Sequence, residues 1–213
     1  MSSAVCSMKK LAIFASGRGS NARALIDACR RGLIAGRPVV LFSDHPDAPA
    51  LAMARAAGID CHAFAPREFA DKDAYENAVV EMLRPYAPDY ICLAGYMRII
   101  GAPILAVYGG RIVNIHPALL PSFPGLHAQR QAIEAGVKVS GCTVHFVDAG
   151  MDSGPIIMQT AVPVFASDDE ASLAERILTV EHPTYVEAMA ALCRDELCIA
   201  ERKVVRRTAS EEE

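Results

Sequence analysis

Short apolar runs alternate with segments of helical period through the first half of the chain. Residues 11–15, 38–42 and 90–94 are continuous apolar stretches bounded by Gly, Ser, Asp or Pro, the pattern of strands buried on both faces of a parallel sheet. Between them, residues 21–31 place Ala22, Leu25, Ile26 and Cys29 on one helical face, and residues 48–57 are alanine-rich and end at Gly58. Residues 72–86 follow Asp71 as an N-cap and stop before Pro88. This βαβ alternation predicts an α/β fold, a doubly wound, mostly parallel sheet whose ligand crevice lies at the carboxyl ends of its strands. The pattern then changes. Residues 139–147 and 155–164 alternate around an acidic loop as a C-terminal antiparallel hairpin extension, and residues 168–194 read as one or two helices. The expected organisation is one domain over residues 8–200, an N-terminal extension at 1–7 and a charged, flexible tail at 201–213, disordered from Arg206 onward.

Composition narrows the class. A length of 213 residues with 52% apolar content is what a single α/β unit can hold around one sizeable core. A formal charge of −4 argues against a protein built to hold nucleic acid or anionic lipid. Seven cysteines lack any Cys-x-x-Cys pair, so they read as small buried thiols in a reducing compartment rather than as disulfides or zinc ligands. The first residues lack a signal-peptide core and no apolar stretch is long enough for a bilayer, which makes the cytoplasm the expected location.

Candidate chemistry concentrates at strand ends. A strand over residues 111–116 runs into Pro117, and side chains two apart share a face, so Asn114 and His116 point at one spot. The loop Asp148-Ala-Gly-Met-Asp152-Ser-Gly-Pro155 follows one hairpin later; a carboxylate from Asp152 would orient the His116 ring and favour its protonated form. An amide donor beside a proton donor suits attack on a carbonyl, with both groups available to an oxyanion. Near the start, Gly17-x-Gly19-x-x-Ala22 satisfies a dinucleotide-binding fingerprint, with Asp44 placed as the ribose-binding acid. Ser16, Ser20 and Asn21 add donors around a helix N-terminus, which suits a terminal phosphate monoester better than a bridging pyrophosphate. The remaining histidines, His45, His62, His127, His145 and His182, read as structural or solvent-facing; His145 is the one its strand could turn toward the site. No His/Asp/Glu cluster has ligand spacing, so no metal is expected.

Asn114-Ile115-His116-Pro117, the following Leu119-Leu120-Pro121-Ser122-Phe123-Pro124-Gly125 and the loop Ser16-Gly17-Arg18-Gly19-Ser20-Asn21 together resemble the glycinamide ribonucleotide formyltransferase family, the folate-dependent transformylases of purine biosynthesis. The likeness runs from about Met8 to Ile199. It implies a formyltransferase-type Rossmann-like fold and direct formyl transfer from 10-formyltetrahydrofolate to the amine of glycinamide ribonucleotide, through a tetrahedral intermediate, in de novo IMP synthesis. By position it implies Asn114, His116 and Asp152 as the catalytic set. Gly19, Ser20, Asn21, Ala22 and Arg23 would bind the phosphate end of the ribonucleotide, and Glu181 its ribose hydroxyls. Met97, Arg98, Ile99 and Ile100, with Asn114 and the backbone from Asp148 to Asp152, would line the folate pocket. Lys72 stands where relatives often carry an arginine that can meet the glutamate tail, keeping the charge but losing the bidentate fork. The implied partners are small molecules, with no nucleic acid and no membrane; oligomeric state is not legible. A formyltetrahydrofolate hydrolase shares the catalytic set but usually carries an N-terminal regulatory domain, and the methionyl-tRNA formyltransferases usually append an RNA-binding domain. A dinucleotide-binding module resting on the fingerprint alone is the remaining alternative.

Overall fold

The computed structural model describes residues 8–207; the expected N-terminal extension and residues 208–213 of the expected tail lie outside the described residues. Seven strands form one sheet: β1 (Lys9–Phe14), β2 (Gly36–Ser43), β3 (Asp60–Ala63), β4 (Tyr90–Leu93), β5 (Ile112–His116), β6 (Val139–Phe146) and β7 (Ile156–Pro163). Their order is β3-β2-β1-β4-β5-β6-β7, parallel from β3 through β5 and antiparallel across β5, β6 and β7. This is the doubly wound sheet with a C-terminal hairpin that the hydrophobic pattern predicts. Its strand order reverses between β1 and β4, and the crevice opens at the carboxyl ends of those two strands.

Two cores explain why the strands read as continuous apolar runs. In β1, Leu11 and Ile13 pack on one side under α1 (Ser20–Arg30), α2 (Pro49–Ala56) and α6 (Glu170–Cys193). Ala12 and Phe14 pack on the other side under α3 (Lys72–Leu83) and α4 (Ala102–Tyr108), where Phe14, Phe42, Tyr75 and Tyr96 stack edge-on or tilted. All four β1 side chains are fully buried, each large one contributing about 1.5–3 kcal/mol. A further helix, α5 (Ala128–Glu134), follows the loop after β5 and packs on α6.

The differences from the sequence reading have local causes. α3 stops at Leu83 rather than residue 86, because Ala87 turns to φ 45 ahead of Pro88, which disfavours helix in the residue before it. α4 is a short element that the periodicity does not mark. Residues 168–194 form one helix, not two: Asp169 and Ser172 make a reciprocal capping box, and α6 continues through Pro183. Tyr185 just beyond the proline is fully buried, and its hydroxyl donates to the carbonyls of Leu93 and Val113, 3.1 and 2.9 Å away. That anchorage offsets the roughly 3 kcal/mol a helical proline costs and fixes the turn carrying Glu181 against β4 and β5. The expected flexible tail is corrected at its start. Leu197–Ala200 and Lys203–Arg206 pair as a two-stranded sheet, β8 and β9, turned at Glu201 (φ 56), and Arg202 at its tip donates to the Ser153 carbonyl, 3.1 Å away.

Candidate active site

On the face of β5 that carries Ile112, the first side chain closes the core beneath α3 and α4. The next two, Asn114 and His116, lie beyond that cover and line a cavity of about 450 Å3. Asp152 lines the same cavity and brings its Oδ2 to 3.4 Å from His116 Nδ1. His116 Nε2 lies 2.8 Å from the Phe123 carbonyl oxygen, which can only accept, so this nitrogen carries a proton. The buried imidazole therefore faces an oxygen acceptor at each nitrogen.

The loops that deliver those acceptors are held by residues that sequence reasoning passed over. Thr143 Oγ1 donates to the Ala118 carbonyl at 2.6 Å and accepts from the Leu120 amide at 3.0 Å; Gln159 Nε2 donates to the Leu120 carbonyl and to Thr143 Oγ1, both 2.9 Å. Asp152 Oδ2 also accepts from the Gly125 amide at 2.8 Å, tying the two loops to each other. Phe123 (φ 57) and Asp152 (φ 50) both occupy the left-handed region, a conformation costing of order 1–3 kcal/mol that persists only where surrounding structure imposes it. Gly154 has no room for a side chain, since a Cβ there would sit 1.8 Å from the Phe146 carbonyl oxygen.

His145, read as structural from the sequence, belongs to this cluster. It pairs directly with Asn114 across the β5–β6 ladder. Its Nδ1 lies 2.9 Å from the Phe146 carbonyl and so donates; burial pulls its pKa below the usual histidine range, leaving a neutral ring with a lone pair on Nε2. That lone pair accepts from Asn114 Nδ2 at 3.2 Å, which orients the amide and leaves its second N–H for the cavity. At 3.7 Å from Asp152 Oδ1 the neutral ring makes no ion pair. The sign of the pH response follows. The unfolded ring titrates near 6.5 and the folded ring lower, so below that pH the unfolded state binds more protons and stability falls as pH drops. Thermal melts between about pH 7 and pH 5 are expected to decline more steeply for the unmutated protein than for His145→Gln; parallel curves would remove His145 from the acid response.

The glycine loop after β1 lies across the crevice. Gly19 is the N-cap of α1 at φ 74, and a Cβ there would meet Ala50 Cβ at 2.7 Å, so glycine is required on both counts. No side chain caps α1, which leaves the amides of Ser20, Asn21 and Ala22 at a positive helix end; Arg23 is exposed on the same turn. Asn21 Nδ2 donates to Glu181 Oε2 at 3.0 Å in a buried contact, joining two of the expected substrate residues from the first and last helices. Burial raises the Glu181 pKa above the usual carboxylate value, opposed by the Asn21 bond and by His116 nearby.

Ser16, expected to add a phosphate donor, does something else. Its hydroxyl donates to Asp44 Oδ1 at 2.6 Å and accepts from the Met97 amide at 2.9 Å. Asp44, the acid a dinucleotide ribose would need, is therefore buried and already engaged. Met97, Arg98, Ile99, Ile100, Asp148 and Asp152 all line the cavity. Four apolar side chains, Met97, Ile99, Leu126 and Met151, stand exposed around it, an uncommon concentration that suits a flat ligand with apolar faces. Arg98 lies over the Tyr75 ring, 5.4 Å from its centroid. Lys72 is not among the lining residues; its Nζ sits 3.7 Å from Glu76 Oε1. Among the described residues no group of three or more His, Cys, Asp or Glu is placed to hold a metal, and no helix is long and apolar enough to cross a membrane. Burial pushes the Cys29 and Cys193 thiols up to about 12, away from nucleophilic chemistry.

Comparison with known proteins agrees with this geometry. The family model described as formyl transferase matches residues 9–189. Phosphoribosylglycinamide formyltransferase of Bacillus subtilis is 46% identical over 84% of this chain and 91% of its own length. The trifunctional purine biosynthetic protein adenosine-3 of Drosophila melanogaster is 47% identical over 86% of this chain, which spans only 14% of that longer protein. Glycinamide ribonucleotide transformylase 1 of Symbiobacterium toebii superposes with a TM-score of 0.93 at 48% identity, covering 95% of each chain. A formyltetrahydrofolate deformylase of Pseudomonas syringae shares the fold at a TM-score of 0.86 but only 26% identity, and the match covers 66% of that chain. With a buried His–Asp pair, an oriented amide and an uncapped helix end meeting at one crevice, the chain belongs to the formyl transferase family and, within it, to the phosphoribosylglycinamide formyltransferases.

Proposed function

We propose that this enzyme transfers the formyl group of 10-formyltetrahydrofolate to the amine of glycinamide ribonucleotide, in the cytoplasm and without a metal, using Asn114, His116 and Asp152. The observation that carries the reading is the joining of Asn114, His145, Asp152 and His116 in one continuous cluster on a cavity with an apolar rim. The amine nitrogen attacks the formyl carbon and a C–N bond forms. The oxygen becomes an oxyanion, to which the second N–H of Asn114 donates; a turn of the His116 ring about Cβ–Cγ exchanges the Phe123 carbonyl for the same oxyanion. The bond from carbon to the folate nitrogen then breaks. That nitrogen gains the proton the amine gives up, relayed by His116 or by a water held at Asp152. No covalent enzyme intermediate is required.

The uncapped turn at Gly19–Arg23 receives the phosphate and Glu181 the ribose hydroxyls, while Met97–Ile100 and the Asp148–Asp152 backbone enclose the pterin. Lys72, being off the cavity, reaches a glutamate tail only by leaving Glu76. A hydrogen bond to a charged group contributes about 1.5–3 kcal/mol, so Glu181→Ala is expected to raise KM for the ribonucleotide by roughly ten- to a hundredfold and leave KM for the folate near its original value. Equal rises in both would place Glu181 outside the ribose site.

The direct test is folate absorbance followed with and without glycinamide ribonucleotide. Tetrahydrofolate release that depends on the ribonucleotide is the expected result. Release in water alone would instead favour a hydrolase.

A further inference from the structure

The two loops flanking the reversal of strand order are joined at one residue, by a backbone hydrogen bond and by a side-chain hydroxyl. Ser16 opens the loop after β1, and its backbone N–H donates to the Gly95 carbonyl at 3.0 Å, at the start of the loop after β4. Its side chain adds the bond to the Met97 amide, while Asp44 Oδ1, 2.6 Å away, takes its proton. The acceptor at Asp44 thus sets which way the hydroxyl points: donated to the buried carboxylate, it can offer only lone pairs to Met97. Asp44 itself is 3% exposed at the end of β2, and its other oxygen faces the exposed His45 ring at 3.7 Å. Gly17, next in the chain, is held in turn by the Ala50 amide donating to its carbonyl at 3.2 Å.

The far side of the second loop is pinned independently. Tyr96 shares a hydrogen bond with Tyr75 at 2.9 Å, and the Gly101 amide donates to the buried Glu76 carboxylate at 2.7 Å. With residues 96 and 101 fixed to α3, the Met97 amide is the point at which movement of the first loop is felt by the second. The Met97 bond is itself exposed, but its acceptor is oriented from beneath by a buried carboxylate oxygen, and an acceptor fixed in that way transmits displacement where a freely rotating hydroxyl would not.

We propose that Ser16, oriented by Asp44, is a positioning residue that couples the two substrate sites, so that filling the phosphate loop sharpens binding at the folate loop and the reverse. This rests on the assignment of those loops to ribonucleotide and folate given above. The coupling is reciprocal by thermodynamic necessity and is expected to reach about fivefold or more in Kd, the lower end of ordinary site-to-site coupling.

The test uses glycinamide ribonucleotide with tetrahydrofolate, a pair that cannot react. The Kd of tetrahydrofolate is measured by titration calorimetry with and without saturating ribonucleotide. In the unmutated enzyme it is expected to tighten about fivefold or more when ribonucleotide is present. In Ser16→Ala the ratio is expected to fall to about one, in Ser16→Thr and Asp44→Asn, which keep the donor and an acceptor, to persist, and in Asp44→Ala to fall again. Amide exchange at Met97 gives a readout that needs no variant: ribonucleotide alone is expected to slow it. Independent binding in the unmutated enzyme, undiminished coupling in Ser16→Ala, or unaltered Met97 exchange would each overturn the proposal while leaving the activity in place. Failure of both ligands to bind the unmutated enzyme would instead overturn the substrate assignment.

Discussion

Replacing Asn114 by alanine is expected to lower kcat by about a hundred- to thousandfold while both substrates still bind, because removal of one oxyanion donor costs roughly 2.7–4 kcal/mol of transition-state stabilisation. The amide is oriented before substrate arrives: neutral His145 can only accept at Nε2, so the nitrogen side of Asn114 faces it and the second N–H is committed to the cavity. Asn114→Asp tests the same point from the other side. It preserves shape, removes both donors and sets a second carboxylate near Asp152, so it is expected to be no better than alanine. Steady-state kinetics paired with ligand titration separates the outcomes. A kcat within about threefold of the original would exclude Asn114 as the donor, and a raised Kd with unchanged kcat would make it a binding residue instead.

His116→Ala is expected to produce a loss of similar size, with a second signature that Asn114→Ala lacks. The ring fills a buried position between the Phe123 carbonyl and Asp152; truncation leaves the carbonyl without its partner, while Asp152 Oδ2 keeps the Gly125 amide. An abandoned buried acceptor costs about 1–3 kcal/mol, and the variant should therefore melt at lower temperature as well as turn over slowly. The two losses come apart in His116→Gln, which can still offer an N–H to Phe123 and recover part of the melting temperature but cannot relay a proton. Because Asn114 and His116 serve one oxyanion, the double alanine variant is expected to lose much less than the product of the single effects. Multiplicative losses would show that the two act in separate steps.

The sequence displayed the frame of the molecule and the core of its chemistry, and the reasons are physical. Strands buried on both faces must be apolar throughout, which is why β1, β2 and β4 stand out as runs. Asn114 and His116 could be placed together because side chains alternate along a regular strand, and β5 pairs with β6 without a register shift. β3 is the most weakly marked strand of the parallel part, because Asp60–Ala63 is a four-residue edge strand, mostly half-exposed, with no alternation. α4 is seven residues long, too few to display a period behind Pro103. His145 stays ambiguous in the sequence for a different reason. Residues 140–146 of β6 are buried without interruption, so periodicity cannot say which face of the strand His145 belongs to. Only its register opposite Asn114, a property of two strands rather than one, reveals its role. Ser16 and Asp44 show the same limit: each fits a ligand-binding motif, and the contact between them, 28 positions apart, turns both to internal use.

The bond between Asn21 and Glu181 crosses 160 positions of chain. The proposed seat for the ribose therefore draws on the first helix and the last, and neither half can form it alone. On the ribosome, the glycine turn and the catalytic strand emerge well before α6, so a nascent chain carries its reactive groups for a time without a complete hold on the acceptor. On that reading, a tight hold on the ribonucleotide is deferred until the closing helix has docked, an order of assembly built into the chain.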